Sequence, residues 1–565
     1  MWLIHTESLK LEYFVGNDIP EYAILSHTWG DGEVTFQDWQ DFRKASKKTG
    51  FAKIKSACAL AQADKLNYIW VDTNCIDKTS SAELSEAINS MFAWYQNSEI
   101  CYVYLADVKD PDDVARMLGD VEDIKKARFI DSLRNSRWFT RGWTLQELLA
   151  PWSIRFLTQD WKPISMELQP KTWLKYHQEP LLRLVSDISG IRFDAISYPN
   201  DVMSCSIGEK MSWMAGRKTT REEDVAYCLL GIFDINMPLL YGEGSKAFER
   251  LQEEVTKQST DHSLFAWQWP QYTTNRKGRQ PNLFANSTKL FSNLNTKLLG
   301  HHPQFDVKVN EDEDPLNNIL SLTNFGLSIN LELIPTADPD CVFGVLNTSN
   351  VFPNPGDLPD RELWCIPLQR MGRVYLRTPF PPGPFPVTTR RKRSIHPIHI
   401  PRNKVYFSEY SYQYAFVILF PDLEIGAGFK IKSLRRIGDE PLNIHHSIVP
   451  IRRDYLKNGK IAASVLSIER SETCLVLLYV GAREVNNEVE TAVRLFPAET
   501  SSVTVKNTQI TFGLPSPYRD ECDSFSLVAS KGYCFDPLPR ESSSQTIFSI
   551  SLHMKQDKAK PRSKK

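Results

Sequence analysis

The first 160 residues alternate between short apolar runs and longer segments with apolar residues at helical spacing. The apolar runs have the length of buried strands, and segments of helical periodicity separate them. These runs are Tyr22–Ser26, Tyr68–Asp72, Ile100–Leu105 and Ile154–Leu157. Strands that alternate with helices form a mostly parallel sheet covered on both faces. The sequence therefore predicts an α/β domain over residues 1–160.

Ligands of such sheets bind beyond the carboxyl ends of the strands. Polar side chains at these positions are therefore the first candidates for a binding site. They are His27, Asp31, Asp72, Asn74 and Asp107.

The rest of the chain changes character twice. Residues 161–262 have helical periodicity, most clearly at Ile207–Ala215, Glu222–Phe233 and Glu243–Lys257, and we expect a helical connector there. Residues 263–554 contain short β-rich runs separated by Pro, Gly and Asn, which predict a β-rich domain such as a sandwich. Residues 555–565 are a basic tail that we expect to be disordered.

The charge balance disfavours nucleic-acid binding. The 565 residues include 67 Lys+Arg and 68 Asp+Glu, for a net charge of -1, whereas phosphate neutralisation needs a surplus of cations. The longest apolar runs are strand-sized, well short of the roughly 20 residues of a membrane-spanning helix, and the N-terminus lacks a secretory signal. We therefore expect a cytoplasmic protein without a membrane span. The basic run Arg390–Arg393 would also suit nuclear import.

The ten cysteines are scattered along the chain, without a CxxC pair or a Cys/His cluster. This distribution disfavours a zinc site or a disulfide framework. We therefore predict no metal and no bound cofactor.

Three blocks of the first domain are distinctive in their order and spacing. They are YAILSHTWGDGEVTFQDW (Tyr22–Trp39), YIWVDTNCIDKTSSAELSEAINSMFAWY (Tyr68–Tyr95) and SRWFTRGWTLQELLAP (Ser136–Pro151). Together they closely resemble the fungal heterokaryon-incompatibility (HET) domain family. Residues Arg217–Glu254 resemble the segment that often follows this domain. The resemblance implies a role in self/non-self recognition between fused cells and in programmed cell death.

The HET family is in turn distantly similar to TIR domains, some of which hydrolyse NAD with a helix-borne glutamate. The resemblance implies a TIR/flavodoxin-like fold, with NAD as a substrate. The third block resembles the TIR pattern W-C-x-x-E-L, which assigns Glu147 as the candidate catalytic acid and Trp143 as a substrate contact. Thr144 replaces the cysteine of that pattern. Lys78 and Ala87 stand where the HET family often has glutamine.

Glu147 has two interpretations. A carboxylate near the ribose would stabilise the ribosyl cation that forms as nicotinamide leaves, and Trp143, four residues earlier, would share its helix face. Alternatively, Thr144-Leu-Gln-Glu147 is a capping box that satisfies backbone N–H groups at a helix start. The same alternative applies to Glu83, three residues after Ser80, which we interpret as a structural or functional acid.

The other candidates are ligand contacts at the sheet edge. Asp72 follows a buried strand and could bind ribose hydroxyls, pair with Arg141 or cap a helix. His27 follows another strand, and Arg141 could bind phosphate. Ser26 and His27 are adjacent in a strand and so point to opposite faces, which prevents them from pairing directly.

Two functions remain open at this point. The first is an incompatibility effector with TIR-like NAD glycohydrolase chemistry. The second is a non-catalytic recognition module that acts by self-association, with the β-rich half binding an unknown protein partner.

Overall fold

The structure, a computed structural model, describes most of the first half of the chain and, from residue 320 onwards, mainly strands. The described residues are 1–109, 122–164, 174–175, 179–267, 283–292, 320–336, 338, 340–350, 361–377, 385–389, 395–401, 414–437, 447–451, 456, 460–471, 473–486, 488–497, 511, 513, 518–522, 525–534 and 545–555. The chain divides into two compact units. The first contains Met1–Val255 and Asn286–Asn295, and the second contains Thr256–Ala285 and Thr296–Lys565.

The first unit is built on a sheet in the order β2-β1-β4-β3-β5-β6. Its strands are β1 (Trp2–His5), β2 (Leu11–Tyr13), β3 (Tyr22–His27), β4 (Tyr68–Val71), β5 (Ile100–Tyr104) and β6 (Ile154–Leu157). The strands β4, β3, β5 and β6 are parallel, and β1 and β2 extend the sheet as an antiparallel edge. The predicted α/β domain is confirmed. The antiparallel edge was not predicted.

The helices of the first unit follow the apolar periodicity of the sequence closely in its α/β part. They are α1 (Phe36–Trp39), α2 (Phe42–Ala45), α3 (Gly50–Ala63), α4 (Ser81–Gln96), α5 (Glu122–Arg134), α6 (Thr144–Leu149), α7 (Glu179–Ser189), α8 (Phe193–Ser197), α9 (Asp201–Ser204), α10 (Ile207–Trp213), α11 (Asp224–Tyr227), α12 (Leu230–Phe233) and α13 (Lys246–Gln258), the last of which ends beyond the boundary of the unit. The segment expected to be one helix at Glu222–Phe233 is two short helices, α11 and α12.

The central strand β3 lies entirely within the core of the first unit. All six of its residues are buried, as expected for a strand covered on both faces. On one side α4 packs closely against α12. A Cβ built on Gly231 would lie 2.1 Å from the Phe92 Cβ, so this contact requires glycine.

The second unit is rich in strands, as the sequence predicted. They are β7 (Leu320–Leu322), β8 (Gly326–Pro335), β9 (Cys341–Asn350), β10 (Arg361–Met371), β11 (Val374–Arg377), β12 (Phe385–Thr389), β13 (Ile395–Pro401), β14 (Tyr414–Leu419), β15 (Phe429–Ile437), β16 (Ile448–Ile451), β17 (Ile461–Arg470), β18 (Thr473–Val485), β19 (Glu488–Pro497), β20 (Tyr518–Glu521), β21 (Phe525–Cys534) and β22 (Gln545–Met554). One sheet has the path β11-β10-β9-β8-β13, with β12 paired to β10 and β7 to β8. The other two are β16-β14-β22-β21-β20 and β15-β17-β18-β19.

A single buried core contains residues from the last two sheets. Phe416 and Ile550 of one sheet belong to the same cluster as Leu466 and Leu478 of the other. This shared core corresponds to a sandwich.

Two features predicted from the sequence lie outside the described residues. They are the basic run Arg390–Arg393 and the tail from residue 556 onwards. Among the described helices, none has the length and apolar character needed to cross a membrane.

Candidate functional site

The candidate site lies at the carboxyl ends of β3 and β4. The chain passes from β3 to β4 on one side of β3 and later places β5 on the other side, so the strand order reverses between β3 and β5. Open α/β sheets bind ligands at such a reversal. Two groups of side chains meet there, which we call the outer cluster (His27, Trp29, Asp72) and the inner cluster (Ser26, Trp138, Glu147).

The outer cluster is organised around the carboxylate of Asp72. His27 Nε2 lies 2.9 Å from Asp72 Oδ1, and Trp29 Nε1 donates to Asp72 Oδ2 at 2.8 Å. His27 is buried, whereas 39% of Trp29 is exposed. The predicted candidates His27 and Asp72 are therefore in direct contact, and the carboxylate has a donor on each oxygen.

Asp72 remains ionised in this environment. Burial alone would raise its pKa, but the hydrogen bond and electrostatic attraction to His27, together with the charges of Lys78 and Arg141, hold that pKa well below its usual range. The Asp72 carboxylate therefore carries a negative charge throughout the physiological pH range.

Two cations surround the exposed indole of Trp29. Lys78 Nζ lies 3.7 Å from the ring centroid, and Arg141 Cζ lies 5.3 Å from it. Both distances are within the range of cation–π attraction. The loop that carries Trp29 is fixed by Glu33, whose Oε1 accepts from the Gly30 N–H at 2.8 Å.

The inner cluster is organised around Glu147 of α6. Ser26 Oγ donates to Glu147 Oε2 at 2.5 Å and accepts from Trp138 Nε1 at 2.7 Å. Only 5% of Glu147 is exposed, and Trp138 is fully buried. As the strand alternation predicted, Ser26 and His27 point to different partners.

The environment of Glu147 favours its protonated form. Burial, followed by the negative charge of Asp72, raises the pKa of Glu147 to about 8, although the Ser26 hydrogen bond and the charges of Arg141 and Arg217 act in the opposite direction. Two carboxyl groups with oppositely shifted pKa values at one sheet edge are the usual arrangement of an acid–base site.

The capping-box interpretation of Glu147 is wrong. The Thr144 hydroxyl lies 2.6 Å from the Trp138 carbonyl and 2.8 Å from that of Arg141, and no side chain caps the start of α6. Arg217 Nη1 donates to this same hydroxyl at 2.9 Å. Thr144 therefore faces the preceding turn. The Glu147 carboxyl does not cap the helix and instead contacts Ser26 of β3.

The far end of α6 is fixed by a buried lysine. Lys175 Nζ donates to the carbonyls of Leu148 and Leu149 at 2.5 and 3.1 Å. Burial lowers the pKa of Lys175 to about 7. The helix that carries Glu147 is thus held at both ends by long-range hydrogen bonds.

Several buried polar atoms beside the outer cluster have no hydrogen-bond partner among the described residues. They are His27 Nδ1, Thr73 Oγ1 and both amide atoms of Asn74, a fully buried side chain. Buried polar groups are paired in the great majority of native structures. These atoms retain the capacity to form hydrogen bonds with a bound polar molecule.

The remaining candidates lie away from this point. Trp143 Nε1 is directed at Asp224 Oδ2, 3.4 Å away, and not at the Glu147 carboxyl. Glu83 has a structural position, because its Oε1 accepts from the Asp77 N–H at 2.9 Å and its own N–H is capped by Ser80 Oγ at 3.3 Å.

Sequence reasoning missed the parts of the site that depend on distant contacts. The sequence did not predict an acid partner for Ser26, because Glu147 lies 121 positions away along the chain. Trp29 and Trp138 both stand in the family-like blocks, so an inspection of their polar aromatic side chains could have identified them. In the described part of the chain, no cluster of three or more His, Cys, Asp or Glu side chains could hold a metal ion.

Comparisons with known proteins match the part of the chain that contains these residues. Residues 22–147 match the family model of the heterokaryon incompatibility protein (HET), and residues 246–311 match a domain of unknown function, DUF8212. The vegetative incompatibility protein HET-E-1 of Podospora anserina is 44% identical over 242 residues, which are 42% of this chain and 16% of that protein. No solved structure matches the chain. The chain thus contains a domain of the heterokaryon incompatibility (HET) family, whose matched span begins at β3 and ends at Glu147.

Proposed function

We propose that the chain is an effector of vegetative incompatibility whose HET domain cleaves the bond between nicotinamide and ribose in NAD. The observation that carries the enzymatic part is the pair of carboxyl groups at the sheet edge, Asp72 ionised and Glu147 with its pKa raised to about 8. The cellular part rests on the relative from Podospora anserina and on its printed name.

The strand order supports a TIR/flavodoxin-like assignment for the domain. The parallel strands lie in the order β4-β3-β5-β6, which is second, first, third and fourth along the chain. This is the beginning of the flavodoxin-like order, in which the ligand lies at the reversal between the first and third strands. In this chain the corresponding strands are β3 and β5.

The proposed chemistry is a heterolytic cleavage. The bond from the ribosyl carbon to the nicotinamide nitrogen breaks, and its electron pair neutralises the pyridinium, so nicotinamide leaves without needing a proton. A water molecule then adds to the ribosyl cation and releases one proton. The role of Glu147 is to stabilise the cation as a carboxylate, since preorganised negative charge in a buried site is effective there.

The raised pKa of Glu147 connects the structure to this role. In the absence of ligand the carboxyl group is mostly protonated at neutral pH. A pyridinium placed beside it would favour its ionised form, because an opposite charge lowers the pKa of an acid. The carboxylate would then form in response to a cationic substrate.

The test uses the full-length chain, both as purified and after fusion to an oligomerising tag. Each form is incubated with NAD, and nicotinamide release is followed by chromatography. Glu147→Gln is expected to reduce the rate by at least about a hundredfold. Glu469→Gln in the second unit is a matched control that should retain the wild-type rate. Absence of release by the wild-type chain in both forms would refute the enzymatic proposal.

The non-catalytic alternative has one observation in its favour. The Glu147 carboxyl lies beneath Ser26 and is almost fully buried, which also suits a structural role in a self-associating module. Toxicity of the chain in a fungal host separates the two functions. If toxicity survives Glu147→Gln, the domain acts by association, with the β-rich unit left to bind a protein partner.

A further inference from the structure

The exposed mouth of the site concentrates positive charge around an aromatic ring. Trp29 from the loop after β3, Lys78 from the segment after β4 and Arg141 from the turn before α6 meet there. Three separate chain segments converge on this point.

The two cations have no carboxylate partner at ion-pair distance. Among the described residues, no carboxylate oxygen lies within 4 Å of the Lys78 ammonium or the Arg141 guanidinium. The carboxylate that attracts both is Asp72, whose two oxygens already accept hydrogen bonds from His27 and Trp29. Lys78 and Arg141 therefore lie at the mouth without a direct ion-pair partner, and the attraction of Asp72, and of Glu33 for Lys78, acts over a longer distance.

A second observation concerns the segment between Asp72 and Lys78. Asn74 of this segment is fully buried and has no hydrogen-bond partner on either amide atom in the described structure. The unpaired amide is an observation independent of the charge, and it points to a bound polar molecule.

We propose that Lys78 and Arg141 bind the phosphate groups of the ligand, so that the site takes phosphorylated nucleotides and rejects nucleosides. The proposal rests on the proposed function, since it concerns the same sheet edge, and it names the substrate class. Arginine suits this role because its planar fork binds phosphate oxygens in pairs, whereas lysine acts as a point charge.

The experiment measures binding by isothermal titration calorimetry on the full-length chain, with ADP-ribose and adenosine as probes. Wild-type protein is expected to bind ADP-ribose at least tenfold more tightly than adenosine. Lys78→Gln should weaken ADP-ribose binding about tenfold and leave adenosine binding unchanged, since one charge-assisted contact is lost. Lys78→Arg should restore most of the affinity. The matched control is Lys47→Gln, which removes an exposed lysine of the same unit and should change neither affinity.

Three results would overturn the proposal. They are equal affinity for ADP-ribose and adenosine, an ADP-ribose affinity that Lys78→Gln does not change, and absence of ADP-ribose binding by the wild-type chain. Failure of the glycohydrolase proposal remains distinguishable. Lys78-dependent binding of ADP-ribose without nicotinamide release would refute the enzymatic function and support the phosphate site.

Discussion

Two buried glutamates, one in each unit, have different partners. In the β-rich unit, Glu469 is buried and lies 3.0 Å from the Lys432 ammonium. In the first unit, Glu147 is equally buried, but its hydrogen-bonded partner is the neutral Ser26 hydroxyl. An ion pair stabilises a folded chain, whereas an acid kept protonated lowers stability at high pH and is common at functional sites. The contrast distinguishes Glu147 as the acid on which the proposed function depends.

The largest expected effect is that of a substitution that removes the buried acid of the first unit. Glu147→Gln should stabilise the first unit at pH 9 by up to about 5 kcal/mol, because the wild-type chain must ionise a buried acid there and the variant does not. Urea titrations followed by hydrogen-exchange mass spectrometry resolve the units, with residues 22–27 reporting the first and residues 461–470 the second. Lower stability of the variant at pH 9 would show that the Glu147 carboxylate is stabilised in the fold.

The same acid predicts how the stability of the first unit depends on pH. Between about pH 4.5 and pH 8 the folded chain keeps a proton on Glu147 that the unfolded chain has lost, so this contribution to stability falls as the pH rises. Lys175 acts in the opposite direction between about pH 7 and 10.5, where the unfolded chain binds the extra proton. Urea midpoints of wild type and Glu147→Gln across this range isolate the first contribution, and parallel curves would contradict it.

A smaller effect is expected from the hydroxyl that links the inner cluster. Ser26→Ala removes the acceptor of the buried Trp138 N–H and the donor to Glu147, which should destabilise the first unit by about 1–3 kcal/mol. It should also raise the pKa of Glu147 further, because the Ser26 bond favours the ionised form. The control is Ser98→Ala, which removes one bond to a backbone carbonyl and should have a smaller effect. Equal losses of stability in Ser26→Ala and Ser98→Ala would contradict the expected role of Ser26 in the inner cluster.

The smallest expected effect lies in the second unit. Glu469→Gln removes the charge of an acid whose partner, Lys432, is largely exposed, so stability should fall by at most about 1 kcal/mol. The sign is opposite to that of Glu147→Gln at pH 9, although the substitution is the same. Urea midpoints read from residues 461–470 test it, and stabilisation by Glu469→Gln would remove the contrast between the units.

The sequence was sufficient to predict the sheet, because its information is local. Continuous apolar runs predicted β3, β4, β5 and β6, and helical periodicity predicted α3 and α4. The order of the strands requires contacts between distant residues, so neither the reversal at β3 nor the antiparallel edge followed from these patterns.

The sequence identified several residues of the site but not the contacts between them. Alternation along β3 correctly separated Ser26 from His27, and the strand ends identified Asp72. The local pattern around Thr144 predicted a capping box, whereas the turn before α6 is fixed by Gly142 N–H, which donates to the Lys218 carbonyl at 2.8 Å. That contact joins segments 76 residues apart, and Arg217, next to Lys218, also donates to the Thr144 hydroxyl. The spacing of residues within a short segment cannot predict a contact between segments so far apart in the chain.

The most direct test of the central claim is the pH dependence of kcat/KM for nicotinamide release from NAD by the full-length chain. In the proposed mechanism the ionised form of Glu147 is the active form, so kcat/KM should rise with pH through an inflection near pH 8. Asp72→Asn should move the inflection to lower pH, since the charge of Asp72 raises the pKa of Glu147. A profile without an inflection near pH 8, or one that Asp72→Asn does not move, would contradict the account.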